Sequence, residues 1–242
     1  MNRSARQRKL PSSPRRRPVL LVFGESENDR KAIVHLARGL RPDLEAAVEE
    51  RRHPLVLIKN AKPGTARDNA REIAELARAE AQGRTVLGVL AHEDCDAREP
   101  AHITVAMRIE QSLEDAGCPK PVIAVTPAWE IEAWWMVFPE AVGRVVEGWR
   151  NPDDWLGKSV GSVTNAKEEL ARAVRPKASP GRRPREYAEG DSIKIAENIV
   201  RDDLLRSFDG TSRRSPGAHG KEVRTESASF GEFRRKLLAI KP

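Results

Sequence analysis

The feature that most limits what this chain can fold into is the run Val86-Leu87-Gly88-Val89-Leu90-Ala91, which ends abruptly in His92-Glu93-Asp94-Cys95-Asp96. A short apolar run without polar alternation reads as a strand buried on both faces, the habit of parallel sheets. Similar runs stand at residues 18–23 (PVLLVF), 55–58 and 121–125, and helical patterns separate them. The apolar spacing predicts helices over 29–40, 66–81 and 101–116, then a short, very apolar helix over 130–138 that Pro139 separates from another helical piece ending near Trp149. Strands alternating with helices in this way imply right-handed crossovers. The expected fold is therefore α/β, a parallel four-stranded sheet flanked by helices.

Beyond residue 150 the pattern weakens. Helices are expected near 166–173, 192–207 and 229–238, joined by a basic Pro/Gly loop at 175–190 and a mobile stretch at 209–222. The chain thus divides into an arm (1–17), an α/β domain (18–150) and a mostly helical C-terminal extension (151–242) packing on it. The arm carries seven basic residues and no acid, which equals the whole net charge of +7, so the rest of the chain is electrically balanced. Arms of this kind either solubilise a protein or contact nucleic-acid phosphates. No stretch approaches the ~20 apolar residues needed to span a bilayer, so no membrane partner is expected. No apolar segment succeeds the basic start in the manner of a signal peptide. Cys95 and Cys118 lack metal-ligand spacing, which suits a reducing cytoplasm and argues against zinc.

Ligands of parallel sheets bind beyond the carboxyl ends of the strands. Three acidic clusters fall there: Glu25 with Glu27, Asp94 with Asp96, and Glu130 with Glu132. Residues two apart on an extended chain point the same way, and paired carboxylates repel unless a cation lies between them. Oxygen donors suit Mg²⁺. The plainer alternatives are that Asp94 caps the next helix while Asp96 is solvated, and that Glu130 and Glu132 favour a helix N-terminus. His92 lies close enough to that rim to bind or relay a proton, though a solvated loop histidine is the plainer reading, and Trp134 and Trp135 read as core. Gly157-Lys158-Ser159 lacks both the first glycine and the leading strand of a P-loop.

The stretch Gly24-Glu25-Ser26-Glu27 after the first strand, with Asp94-Cys95-Asp96 after a later one, resembles a TOPRIM domain, the metal-binding module of topoisomerases, primases and OLD-type nucleases. Glu130-Ile131-Glu132-Ala133-Trp134, with Phe138-Pro139-Glu140 after it, is similar to the RloB-like group of that family. Asn165-Ala166-Lys167, Tyr187 to Asp191, Ile195 to Ile199 and Ser229-Phe230 agree in order, so the resemblance runs from about residue 18 to 238. It implies a nuclease dependent on Mg²⁺ or Mn²⁺ and a role in phage or foreign-DNA defence. Asp94 and Asp96 would hold one ion, Glu27 with Glu25 would share it or bind a second, and Glu130 or Glu132 would complete the shell. Lys167, with Lys158 as its substitute, would neutralise charge on the phosphate. The arm and the basic loops at 175–185 and 213–224 would grip the nucleic acid, and relatives imply an ABC/AAA-type ATPase partner. One departure stands out: Phe23 occupies the position where the family carries its first glutamate. Unless Glu25 substitutes, the resemblance implies a degenerate domain that binds nucleic acid or the ATPase without cleaving. A receiver-like phosphoacceptor domain would need a fifth strand with a lysine after it, and none is evident.

Overall fold

The computed structural model describes residues 16–175, 184–217 and 221–242. Most of the basic arm and the centre of the 175–185 loop lie outside them. Four strands, β1 (Pro18–Gly24), β2 (Val48–Glu50), β3 (Thr85–His92) and β4 (Val122–Val125), form an all-parallel sheet in the order β2-β1-β3-β4. The crossovers carry α1 (Glu27–Leu40), α2 (Pro63–Gly83) and α3 (Ala101–Asp115). After β4 come two short helices, α4 (Glu132–Trp135) and α5 (Pro139–Gly143), where an apolar helix over 130–138 and a second helical piece after Pro139 are expected, each shorter than its pattern suggests. The C-terminal part holds α6 (Ala166–Ala173), α7 (Asp191–Arg201), β5 (Phe208–Asp209), β6 (Ser212–Pro216), β7 (Glu222–Glu226) and α8 (Ala228–Leu238).

Two expectations need correction. The second strand is Val48–Glu50, not 55–58. Val56 and Ile58 are fully buried, as a strand pattern requires, but the backbone there does not join a ladder. Instead the Val56 amide donates to the Gly24 carbonyl, Leu57 to the Asn69 side chain, and Ile58 to Glu93. The second correction concerns 209–222, where β5, β6 and β7 make a separate antiparallel sheet. Its anchor is Arg213, whose buried guanidinium donates to the Val137 carbonyl at 2.8 Å and pairs with Glu140. Residues 218–220 of that stretch lie outside the described residues.

Alternation along the strands sends side chains to two cores. Val19, Leu21, Phe23, Val89 and Ala91 pack against α2 and α3. Leu20, Val22 and Leu90 face α1 and merge with a larger cluster containing Trp134, Trp135, Ile195 and Phe230. That second core runs without a break from the sheet into the residues beyond 150. Trp134 stacks on Phe233 with centroids 5.4 Å apart and meets Phe230 edge-on at 5.1 Å. Each such pair contributes about 1 kcal/mol beyond its buried area. Glu99, in the loop after β3, accepts the amides of Ala228 and Ser229 at 3.1 and 2.8 Å, which fixes the start of α8. No described helix is long and apolar enough to cross a membrane.

Candidate metal centre

β1, β3 and β4 finish level, with Gly24 opposite His92 and His92 opposite Val125, so the residues just past them arrive at one rim. Gly24 brings β1 close to α1 here, since a Cβ would stand 3.1 Å from that of Arg30, tighter than a normal contact. Glu25 then turns across the end of β3. Its amide donates to the His92 carbonyl, and its Oε1 accepts the Asp94 amide at 2.9 Å. Ser26 caps α1 by accepting the Asp29 amide, which sets Asp29 in the first turn above the same rim. His92 and Asp94 sit on the α1 side of β3.

The outcome is a cluster of four: Glu25, Asp29, His92 and Asp94 each present one donor atom, all within 4.8 Å of one another. His92 is fully buried, with Nε2 3.2 Å from Asp94 Oδ1 and Nδ1 without a hydrogen-bond partner among the described residues. To ligate an ion the imidazole must be neutral, so binding would displace the proton it otherwise carries. Burial alone would push the imidazole down, but the Asp94 hydrogen bond and the charges of Asp94, Asp29 and Glu25 raise it to about 9. Conversely, burial pushes the Glu25 carboxyl up to about 7, with Asp94 adding and His92 opposing. Asp29 is raised too, first by burial and then by Asp94. These carboxylates crowd more negative charge into the pocket than it carries comfortably, and a divalent cation relieves that conflict. The donor set therefore fits a metal ion. An imidazole beside three carboxylates suits Mn²⁺ at least as well as Mg²⁺.

Around the cluster lies a second group. The buried Glu132 accepts the Tyr187 hydroxyl at 2.8 Å, Tyr187 meets Ser192 Oγ at 2.9 Å, and the Trp135 indole donates to the same Ser192 at 3.0 Å. Burial, helped by Asp94 and Asp29, pushes the Glu132 carboxyl up to about 8. Glu130 accepts the Lys167 amide at 3.0 Å, where α6 begins. The two residues sit beside the cluster and not in it.

Other expected members are placed elsewhere. Glu27 points outward on the first turn of α1 and pairs with Lys31. Asp96 does not align with Asp94, because the chain has left the extended conformation: Asp96 has φ 52° and its Oδ2 lies 2.6 Å from Lys59 Nζ. The Lys167 ammonium is paired with Glu189, and Lys158 lies over the Trp155 ring. Phe23 is buried on the opposite face of the sheet from the cluster, so a glutamate there would not reach it.

Sequence reasoning did not place Asp29 at the site, and for His92 it preferred a solvated loop to a role at the rim, whereas His92 is fully buried in the cluster. Lys59 and Glu93 were missed as well. Glu93 turns into a buried niche where it accepts the amides of Ile58 and Lys59 at 3.0 and 2.9 Å. Held so, Lys59 reaches the Asp94 carbonyl and Asp96 with its side chain 8% exposed. Comparison with protein-family models, curated proteins and solved structures finds no match to this chain.

Proposed function

We propose that this protein is a divalent-metal-dependent phosphodiesterase acting on nucleic acid. The observation that carries the proposal is the convergence of Glu25, Asp29, His92 and Asp94 at the carboxyl ends of parallel strands. A bound Mn²⁺ or Mg²⁺ would polarise a phosphoryl oxygen and lower the pKa of a coordinated water. Around it, the chain's own groups have defined tasks. Asp94 orients His92, and the Glu25 carboxylate braces the turn after β3 through the Asp94 amide. Glu132, held protonated near neutral pH by burial, is in the state a general acid needs, and Tyr187 fixes its orientation. Lys59, paired with Asp96, braces the Asp94 carbonyl at the edge of the cluster.

A single ion fits this arrangement better than a pair, since Glu27 and Asp96 are held away from the cluster by Lys31 and Lys59. The TOPRIM resemblance extends the proposal to phage or foreign-DNA defence beside an ATPase. Binding without cleavage is the second reading, favoured by Lys167 being neutralised by Glu189. Calorimetric titration with MnCl₂ and cleavage of a labelled oligonucleotide, each run with the parent and with Asp94→Ala, test the proposal. The parent is expected to bind one ion and to cut the strand, and the variant to do neither. Undiminished metal binding and cleavage by Asp94→Ala would end the proposal, and metal binding without cleavage by the parent would leave the second reading.

A further inference from the structure

On the face of the sheet away from the metal cluster, α2 and α3 lie side by side and enclose a cleft of about 600 Å³. Its walls carry four arginines, Arg67, Arg71 and Arg78 from α2 and Arg108 from α3, against two carboxylates, Glu75 and Asp115. All four arginines are exposed. Arg71 faces acids of its own helix, Asp68 and Glu75. The other three have no carboxylate partner among the described residues. Arg78 is braced by the carbonyls of Ala116 and Gly117 at 2.7 and 3.1 Å, and Arg108 touches only the Ala61 carbonyl at 3.4 Å. Gly117, at φ 78°, makes room for this bracing, since a Cβ there would stand 2.9 Å from Arg78 Nη1. Three cations lining one cleft without counter-charges of their own repel one another and favour an anionic occupant.

The cleft is also near the cluster. Lys59 holds the Asp94 carbonyl, the Ala61 carbonyl meets Arg108, and Pro63 lines the cleft. The four residue steps from Lys59 to Pro63 span at most about 14 Å of extended chain. A polyanion lying in the cleft can therefore run on to the rim where the four donors converge.

We infer that the α2–α3 cleft is a docking groove for the phosphodiester backbone of a nucleic-acid strand, read through its charge and not its sequence. The inference rests on the proposed nuclease reading and locates the substrate for it. Planar guanidiniums in a groove recognise phosphates well, and contacts made to the backbone alone tolerate any sequence.

The test uses the full chain in EDTA, so that metal-dependent chemistry plays no part. Binding of a fluorescein-labelled single strand is measured by anisotropy across a salt series. The arms are the parent, Arg67→Gln/Arg108→Gln, and a control of equal charge change on another face, Arg206→Gln/Arg235→Gln. Unchanged melting temperatures in both double variants establish that they are folded. The groove variant should show weaker binding and a slope of log K against log salt shallower by about 1.4, at about 0.7 per lost phosphate contact. The control should bind like the parent. Equal weakening in both variants, or none in the groove variant, overturns the groove while cleavage by the parent keeps the nuclease reading alive. A parent that binds no strand in EDTA overturns the groove, and one that also fails to cleave with Mn²⁺ overturns the nuclease reading with it. Displacement of the strand by polyglutamate at equal charge concentration would reassign the cleft to an acidic protein segment.

Discussion

Replacing Glu93 by alanine gives the sharpest structural test, because this carboxylate holds the segment that delivers Lys59 to the site. Glu93 is 3% exposed and accepts the Ile58 amide on both oxygens and the Lys59 amide on one. Its truncation leaves two buried N–H groups without an acceptor. A donor stranded in this way costs about 1–3 kcal/mol, so the pair costs about 2–6. The loss of a buried charge, raised towards neutrality by that same burial, returns part of this. The expected net destabilisation is about 3 kcal/mol, a large share of the roughly 5–15 kcal/mol of a typical domain. Urea unfolding monitored by tryptophan fluorescence reads the change, and amide hydrogen exchange localises it. Ile58 and Lys59 should lose protection before the β1 and β3 amides do. Glu93→Gln, which keeps one acceptor oxygen, should recover about half. A loss below 1 kcal/mol with Ile58 still protected would refute the reasoning.

The geometry also dictates three further outcomes. Phe23→Glu places a carboxylate in the apolar core against α2 and α3; it should cost upwards of about 4 kcal/mol and leave mostly insoluble protein, and a soluble variant with parental melting temperature and tighter Mn²⁺ binding would contradict this. Glu49 is held down to about 2 by its hydrogen bonds to Arg84, then Arg51, against the opposing effect of burial. Because the folded-state value is depressed, its stabilisation is complete above the unfolded value of about 4.5 and is lost as pH falls from there through about 2. After solvent screening this amounts to about 1 kcal/mol, so the stability gap between parent and Glu49→Gln should close between pH 5 and pH 2, and a constant gap would count against the pairing. Finally, burial pushes the Cys118 thiol up to about 12 and raises Cys95 as well; iodoacetamide should leave both unmodified in native protein and modify both in urea, and rapid native labelling of either would show its surroundings to be open.

The sheet was legible where burial on both faces leaves a signature. The runs behind β1, β3 and β4 are almost wholly apolar, mainly Val, Leu, Ile and Ala, and each became a strand close to its expected bounds. The edge strand β2 is only Val48-Glu49-Glu50, too short and too polar to register, whereas the buried pair Val56 and Ile58 imitates a strand. The antiparallel sheet escaped notice because its residues are largely Arg, Ser and Glu, and burial of Arg213 depends on Glu140, distant in sequence. At the site, Glu25 and Asp94 were readable from their place after strands. The alignment of Asp94 with Asp96 failed because alternation holds only while the backbone stays extended, and it ends at the positive φ of Asp96. His92 was misplaced by a single residue of strand length: as the last member of β3 it falls inside the core, and one position later it would have been in the loop. Tyr187 carried no signal of its role, since its partner Glu132 is 55 residues away.

The hydrogen-bonded chain from Trp135 through Ser192 and Tyr187 to Glu132 bears on how the protein is made. Synthesis proceeds from the N-terminus, and all four donors lie before residue 95 while the hydroxyls that orient Glu132 come after 186. A nascent chain stopped near residue 150 would already hold Glu25, Asp29, His92 and Asp94, yet Trp134, Trp135 and Phe138 would lack the Ile195 and Phe230 side of their shared core. The residues beyond 186 thus complete the surroundings of Glu132 and the shared core, so folding of the sheet alone leaves the site unfinished.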